Sequence, residues 1–128
     1  VKKAGLSFIY LIAPTTDSNR IPIIAKHATG FIYYVSVTGI TGTESASSDE
    51  IATALKKVRK HTSLPIAVGF GITTKEKARE IGNHSEAVVV GSAFVKIISE
   101  NLNEDGTAKD NCVNSVLSLV QNIASGLR

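Results

Sequence analysis

Methionine and tryptophan are missing from this 128-residue sequence, and cysteine occurs once. A lone Cys112 cannot build the disulfide framework of a small secreted protein, so we expect a reducing, cytoplasmic environment. Because the chain starts at Val1 without an initiating Met, we expect a processed product or a piece of a longer protein. The length suits one domain, residues 1–128, and is too short for two.

Long hydrophobic runs are absent as well. The longest, residues 6–13 and 87–95, fall short of the roughly 18 residues that a membrane-spanning helix needs, so no membrane partner is predicted. Aromatic residues are 5% of the chain and are not interleaved with its basic cluster, residues 56–60. That cluster alternates with apolar helix positions and is interpreted as a solvated helix face, so we predict no nucleic-acid partner.

Short apolar runs alternate along the chain with longer stretches of helical spacing. The runs cover residues 6–12, 31–35, 66–69 and 87–90, are rich in Val and Ile, and show little in–out alternation. This pattern predicts parallel strands buried on both faces. Each run is followed by a helical stretch, with an extra short helix at 93–98, so the order predicts either an open doubly wound sheet or part of a (β/α)8 barrel.

Hydroxyl residues mark two of the predicted helix starts. Ser47 and Thr73 each precede a Glu by three positions, which is the spacing of a capping box. The final helix is predicted to bury one apolar stripe, made of Val113, Val116, Leu117, Val120, Ile123 and Ala124.

Glycines follow three of the four predicted strands. In parallel βα proteins the loops at these strand ends build the functional site. Residues 69–71 read Gly-Phe-Gly, and Gly91-Ser92 leads directly into the extra helix. Glycine lets the backbone N–H groups approach an anion, and a helix N-terminus adds partial positive charge, so these two junctions predict a phosphate site. The alternative is that the glycines only permit tight strand-to-helix turns.

Residues 37–48 are almost entirely Gly, Thr, Ser and Ala, which favours a lid that closes over a site; a plain polar surface loop is the alternative. Other reactive side chains are less suggestive. The three His residues lie near predicted helix ends and lack metal-ligand spacing, and Cys112 is interpreted as a packing residue. Asp17 suits either a site carboxylate or the first turn of a helix, and no convincing acid/base pair is present.

Four segments in this order resemble the C-terminal half of the tryptophan synthase α-subunit family. They are residues 30–36 (GFIYYVS), 39–42 (GITG), 68–72 (VGFGI) and 90–93 (VGSA). The resemblance covers essentially the whole chain. It implies an α/β fold that is half of a TIM (β/α)8 barrel, with strands 5 to 8 and their helices.

The resemblance also implies a function and site residues. The family cleaves indole-3-glycerol phosphate to indole and glyceraldehyde 3-phosphate and passes indole to a β subunit, which alone carries pyridoxal phosphate. By resemblance, Tyr33 lines the substrate pocket and Thr41 is the lid residue that orients a catalytic carboxylate. The residues that would hold the substrate phosphate are Gly42, Phe70, Gly71, Gly91 and Ser92.

The chain departs from the family in one decisive respect. The family's catalytic Glu and Asp belong to strands 2 and 3, and the Pro-Phe/Tyr-Ser-Asp-Pro segment that carries the Asp does not occur here. We therefore expect an inactive fragment that keeps the phosphate site, with a non-catalytic phosphate-binding half-barrel as the alternative function. Indole-glycerol-phosphate synthase is a poorer match, because its Lys and Glu at strand ends are missing. Four strands in place of eight leave two open edges, so we expect the chain to self-associate.

Overall fold

The chain folds into one parallel sheet flanked by helices. A computed structural model describes residues 1–35, 47–69 and 71–127. A single 3-10 turn, Lys2–Ala4, precedes the first strand. The strands are β1 (Tyr10–Ile12), β2 (Ile32–Val35), β3 (Ile66–Gly69) and β4 (Ala87–Val89), and the helices are α1 (Ile21–His27), α2 (Ser48–Arg59), α3 (Lys75–Gly82), α4 (Ser92–Glu100) and α5 (Cys112–Ala124). The predicted strand–helix order is confirmed.

The four strands lie side by side in chain order, and every neighbouring pair is parallel. The register divides their side chains between two faces. One face carries Tyr10, Ile12, Ile32, Tyr34, Ile66, Val68 and Val88, and the other carries Leu11, Tyr33, Val35, Ala67, Gly69, Ala87 and Val89.

The contiguous core cluster lies on the first of these faces. Ile12, Ile32 and Val68 there are at most 1% exposed. Apolar residues of the helices pack onto them: Ile21 from α1, Ile51, Leu55 and Val58 from α2, Ala78 and Ile81 from α3, and Ile123 from α5.

The second sheet face is exposed at β1 and β4, where the prediction of strands buried on both faces was wrong, whereas β3 is buried on both faces, with Ala67 5% exposed. Leu11 is 60% exposed and Val89 is 36% exposed, and Tyr33 and Val35 are only half-buried. All helices that pack on the core do so from the opposite side. The strand sequences are typical of a sheet with helices on both faces, but the helices described here pack on one face only. We call Leu11, Tyr33, Val35, Ala87 and Val89 the bare face.

The first strand is shorter than the predicted 6–12, because residues before Tyr10 bond elsewhere. The Phe8 N–H donates to the Thr29 hydroxyl at 2.9 Å, and the Thr29 N–H donates to the Phe8 carbonyl at 3.3 Å. The Phe8 ring also stacks on Tyr10, with ring centroids 4.6 Å apart. These bonds tie the segment to the turn before β2 and leave Leu6 64% exposed outside the sheet.

The two predicted capping boxes have different outcomes. At Ser47 the box is complete: its hydroxyl accepts from the Glu50 N–H at 3.3 Å, and its own N–H donates to the Glu50 carboxylate at 2.7 Å. In α3 the cap is Thr74 and not Thr73. The third helical residue is then Lys77, whose N–H donates to the Thr74 hydroxyl at 3.2 Å, and a lysine side chain cannot accept a bond in return.

The stripe predicted for the last helix is correct as a pattern but not as a buried surface. Ile123 is buried, whereas Val113, Leu117 and Val120 are 67%, 58% and 42% exposed. The core-facing side of α5 is formed by Leu119 and Ile123, with Cys112 buried at its start. The helix therefore has a second apolar face, Val113, Leu117 and Val120, which we call the outer stripe of α5.

Glu86 joins three elements at the end of the sheet where the strands begin. Its carboxylate pairs with the Arg59 guanidinium at the end of α2 and accepts the Ile66 N–H at 2.8 Å. Arg59 also donates to the Leu64 carbonyl at 2.6 Å. Partial desolvation acts to raise the pKa of the Glu86 carboxyl, but the bonds from Ile66 and Arg59 outweigh it and hold the pKa below its ordinary value.

We expect Glu86→Gln to lower the free energy of unfolding by about 1 kcal/mol at neutral pH, since a charge-assisted bond network is lost. Because the folded pKa is depressed, the contribution of Glu86 is complete above the ordinary carboxyl value of about 4.3 and disappears as the pH falls through the lower folded value. Urea unfolding between neutral pH and pH 3 measures both effects.

Glu100→Gln is the matched control for this experiment. Its partner Lys96 lies 3.9 Å away in an exposed pair, with side chains 77% and 58% exposed, so its loss should change stability little. Equal losses in the two variants would contradict the role assigned to Glu86.

Candidate anion site at the carboxyl ends of the strands

The candidate site lies at the edge of the sheet where the strands end. Gly69 of β3 pairs with Val89 of β4, and two residues beyond each of them stand Gly71 and Gly91. Parallel strands in register end at the same edge, so the two glycine junctions are neighbours. Gly71, Gly91 and Ser92 are all exposed to solvent. The structure thus brings three of the predicted phosphate ligands to one edge.

The two glycines are open to a ligand for different reasons. Gly71 has φ +53°, in the left-handed region that side chains rarely adopt, whereas Gly91 has φ −124°. Apart from the adjoining residues of the chain, a Cβ added at either position would meet no atom of the described residues within 4 Å. A tight turn accounts for glycine at position 71. At position 91 packing does not demand glycine.

The first turn of α4 offers backbone donors. Its N-cap is Gly91, which has no side chain to cap the helix, and the Gly91 carbonyl accepts from Phe94 at 3.0 Å and from Val95 at 3.2 Å. The N–H groups of Ser92 and Ala93 have no acceptor within the described ranges. Together with the Ser92 hydroxyl they form a set of donors at the positive end of a helix. Such a set suits a phosphate or carboxylate.

Tyr33 lies on the bare face beside this edge and packs directly over Gly69. A Cβ at Gly69 would lie 2.8 Å from Cε2 and 2.9 Å from Cζ of Tyr33, and closer still to its hydroxyl oxygen. A side chain at position 69 would therefore displace the phenol ring, a constraint that the sequence reasoning missed. The signal available was the pairing of a small residue with a large one on adjacent strands: in parallel register, Tyr33 stands opposite Ala67, next to Gly69 along the same face.

Three predicted residues lie outside the described ranges. They are Thr41 and Gly42, with the rest of the predicted lid up to residue 46, and Phe70. Their assigned roles stay predictions.

The other reactive side chains have local structural roles. The Asp17 carboxylate is exposed and accepts the Asn19 N–H at 2.8 Å in the turn before α1. The His27 ring nitrogen Nδ1 lies 2.8 Å from the Ile23 carbonyl oxygen, as expected for a His at a helix end. Cys112 is buried, which confirms its interpretation as a packing residue. Burial also raises the pKa of Tyr34, which faces the helices and not the site.

Two further findings concern the described residues alone. No group of three or more His, Cys, Asp or Glu side chains is placed to hold a metal ion there. Within residues 1–35, 47–69 and 71–127, no helix is long and apolar enough to cross a bilayer.

Comparison with known proteins gives one consistent family. The family model described as "Tryptophan synthase alpha chain" matches residues 1–127. A curated tryptophan synthase alpha chain from Gluconacetobacter diazotrophicus is 44% identical over 124 residues, which are 97% of this chain and 45% of that protein. The chain thus spans about half the length of the curated relative it matches.

Solved structures agree with the sequence match. Tryptophan synthase subunit alpha from Legionella pneumophila is 31% identical with a TM-score of 0.78, covering 98% of this chain and 44% of that one. A structure from Aquifex aeolicus VF5 is 36% identical with a TM-score of 0.78, covering 99% and 43%. The fold predicted from the sequence, α/β and half of a (β/α)8 barrel, is confirmed by these matches.

We expect Gly69→Ala to destabilise the fold by about 1–3 kcal/mol, because the new methyl group meets the Tyr33 ring. Thermal or urea unfolding measures the loss. The matched control is Gly91→Ala, where the added Cβ meets nothing within 4 Å and stability should hardly change.

A double-mutant cycle with Tyr33→Ala tests the cause. If the ring is responsible, Gly69→Ala should cost less in the Tyr33→Ala background, by at least about 0.5 kcal/mol. Additive losses would show that Gly69 is needed for another reason.

Proposed function

The chain belongs to the tryptophan synthase alpha chain family, and we propose that it provides the phosphate-binding half of an aldolase-type lyase. In the intact subunit the reaction is cleavage of indole-3-glycerol phosphate to indole and glyceraldehyde 3-phosphate, in tryptophan biosynthesis. The observation that carries the assignment to this half is the pair of adjacent glycine junctions, with open N–H groups at Ser92 and Ala93.

The phosphate is proposed to bind through the backbone and the helix end. Donation from the α4 N-terminus and the Ser92 hydroxyl places partial positive charge against the anion, and the left-handed Gly71 lets the neighbouring backbone turn toward it. Phe70 and Gly42 are proposed to complete the site. Tyr33 is proposed to border the indole end of the ligand, because its ring projects from the bare face beside β3.

The chemistry itself is assigned to residues that this sequence does not contain. Cleavage requires one group to move a proton at the indole ring and another to accept one, and paired carboxylates perform such work. The one described carboxylate that closely follows a strand end, Asp17, is engaged in a turn before α1. We therefore propose that this chain alone binds phosphate and does not cleave the substrate.

We also propose a β-subunit partner and a cytoplasmic location. Thr41 is proposed to orient a catalytic carboxylate from the lid when the rest of the subunit is present. The subunit would deliver indole to a β subunit that holds pyridoxal phosphate, while the α chain uses no cofactor of its own. The setting would be the cytoplasm. Copies of this chain are proposed to self-associate through the outer edges of strands β1 and β4.

We expect Ser92→Ala to weaken binding of glyceraldehyde 3-phosphate about tenfold, because a hydrogen bond to a charged group is lost. Titration calorimetry measures this, with unphosphorylated glyceraldehyde as the negative ligand. Ser99→Ala is the matched control, since Ser99 lies on the same helix and its hydroxyl donates to the Lys96 carbonyl. Gly71→Leu should abolish binding with little change in helical circular dichroism. Unchanged affinity in both Ser92→Ala and Gly71→Leu would defeat the site.

Incubation of the chain with indole-3-glycerol phosphate should release no detectable indole, measured by its absorbance or by a colour reaction. This result follows from the missing carboxylates, and it distinguishes a chain that only binds from one that catalyses. Binding without cleavage fits both the half-enzyme and the non-catalytic phosphate binder, whereas indole release above the uncatalysed rate would show that the chain holds its own acid and base.

A further inference from the structure

A small polar cavity lies on the side of the sheet that the helices cover. Its walls come from β1, β2, α1, α2 and the connection between β1 and α1, and its volume is about 100 Å³. This is roughly the volume that three water molecules occupy in the liquid. The residues that line it belong neither to the bare face nor to the glycine junctions after β3 and β4. The cavity is therefore separate from the candidate site described above.

The hydroxyl of Tyr34 is buried at this cavity without a hydrogen-bond partner. Tyr34 is 3% exposed, and among the residues that the structure describes none donates to its hydroxyl or accepts from it. In agreement with this, burial alone raises the pKa of the phenol, and no hydrogen bond contributes. A buried hydroxyl normally has a partner, and leaving it unpaired costs free energy. Because Tyr34 lines the cavity, a ligand seated there can supply the missing bond.

Three further polar side chains line the same cavity. The Thr16 hydroxyl accepts the Ala13 N–H at 2.9 Å, which leaves its own hydrogen to donate. The side chains of Ser18 and Lys57 make no hydrogen bond or ion pair with any described residue. Lys57 is exposed, so its ammonium group joins the cavity to solvent. The lining thus offers three hydroxyl groups and one cation as donors.

The charge of the lining favours an anion. Lys57 is the one charged side chain among the described lining residues, which include no Asp or Glu. Asp17 lies between Thr16 and Ser18 in the sequence, but its carboxylate is exposed and accepts the Asn19 N–H at 2.8 Å in the turn before α1. Donors gathered around a cation, without a carboxylate among them, suit an oxyanion whose oxygens accept several hydrogen bonds.

We propose that this cavity is a second anion site, which takes a small oxyanion such as inorganic phosphate. The Lys57 ammonium and the hydroxyls of Tyr34, Thr16 and Ser18 donate to its oxygens, and Tyr34 is the buried donor. We call these four residues the Tyr34 site. A bound anion links the β1–α1 connection to α2. The Tyr34 site does not rest on the proposed function, because it shares no residue with the glycine junctions.

Titration with inorganic phosphate, followed by proton–nitrogen correlation spectra, separates the two anion sites. Phosphate at the Tyr34 site should shift amide signals within residues 13–18, whereas phosphate at the start of α4 should shift those of residues 91–93. No shift within residues 13–18 up to about 20 mM phosphate would overturn the Tyr34 site. A response at residues 13–18 without one at residues 91–93 would support the Tyr34 site and contradict the proposed function.

Lys57→Gln and Lys56→Gln form a matched pair on α2. Both remove one exposed positive charge, but only Lys57 lines the cavity. Lys57→Gln should weaken the response of residues 13–18 at least about tenfold, because a charged donor is lost. Lys56→Gln should change it less than about twofold, because solvent and salt screen a charge that does not contact the anion. Equal losses would indicate diffuse attraction to a basic helix and overturn the site.

Tyr34→Phe gives a result that a purely structural role of the phenol would not give. In phosphate-free buffer the variant should melt at a higher temperature than the unmodified chain, because an unpaired buried hydroxyl is removed. Phosphate should then raise the melting temperature of the unmodified chain more than that of the variant, since a ligand stabilises the fold only where it binds. A variant that melts lower without phosphate, or gains as much from it, would show that the cavity holds water and overturn the proposal.

Discussion

A parallel sheet is normally packed against helices on both of its faces, and in this chain the helices pack on one face only. The helices pack on the face that carries Ile12, Ile32 and Val68, and they build a continuous core there. The opposite face and both edges stay open. The strands nevertheless have the composition of a doubly buried sheet, and the chain matches a relative of about twice its length.

The same sheet decides where the proposed anion site lies. Register between β3 and β4 carries Gly71 and Gly91 to one edge, and α4 begins immediately beyond with an uncapped first turn. Glycine serves two separate purposes in this small region. At Gly69 it makes room for the Tyr33 ring, and at Gly91 it leaves backbone open. The glycine of the proposed binding site and the glycine that makes room for Tyr33 are therefore different residues, although they stand close together in the sequence.

Sequence spacing predicted a helix cap correctly where the cap depends only on neighbouring residues. Ser47 and Glu50 are three residues apart, and their box depends on nothing outside one helical turn. At Thr73 the same spacing failed because the N-cap is one residue later, at Thr74, a shift that a spacing rule cannot detect. The stripe on α5 was recognised as apolar, but its periodicity says nothing of whether a partner is present to cover it.

The sequence by itself determined the order of strands and helices, the glycine junctions and the family, because these depend on residue type and spacing along the chain. The tertiary structure alone decided which face of the sheet is covered, what a side chain at position 69 would displace, and where Glu86 finds its partners. Each of these depends on residues far apart in sequence: Arg59 lies 27 positions from Glu86. Such contacts exist only after the strands have paired, so no local pattern encodes them.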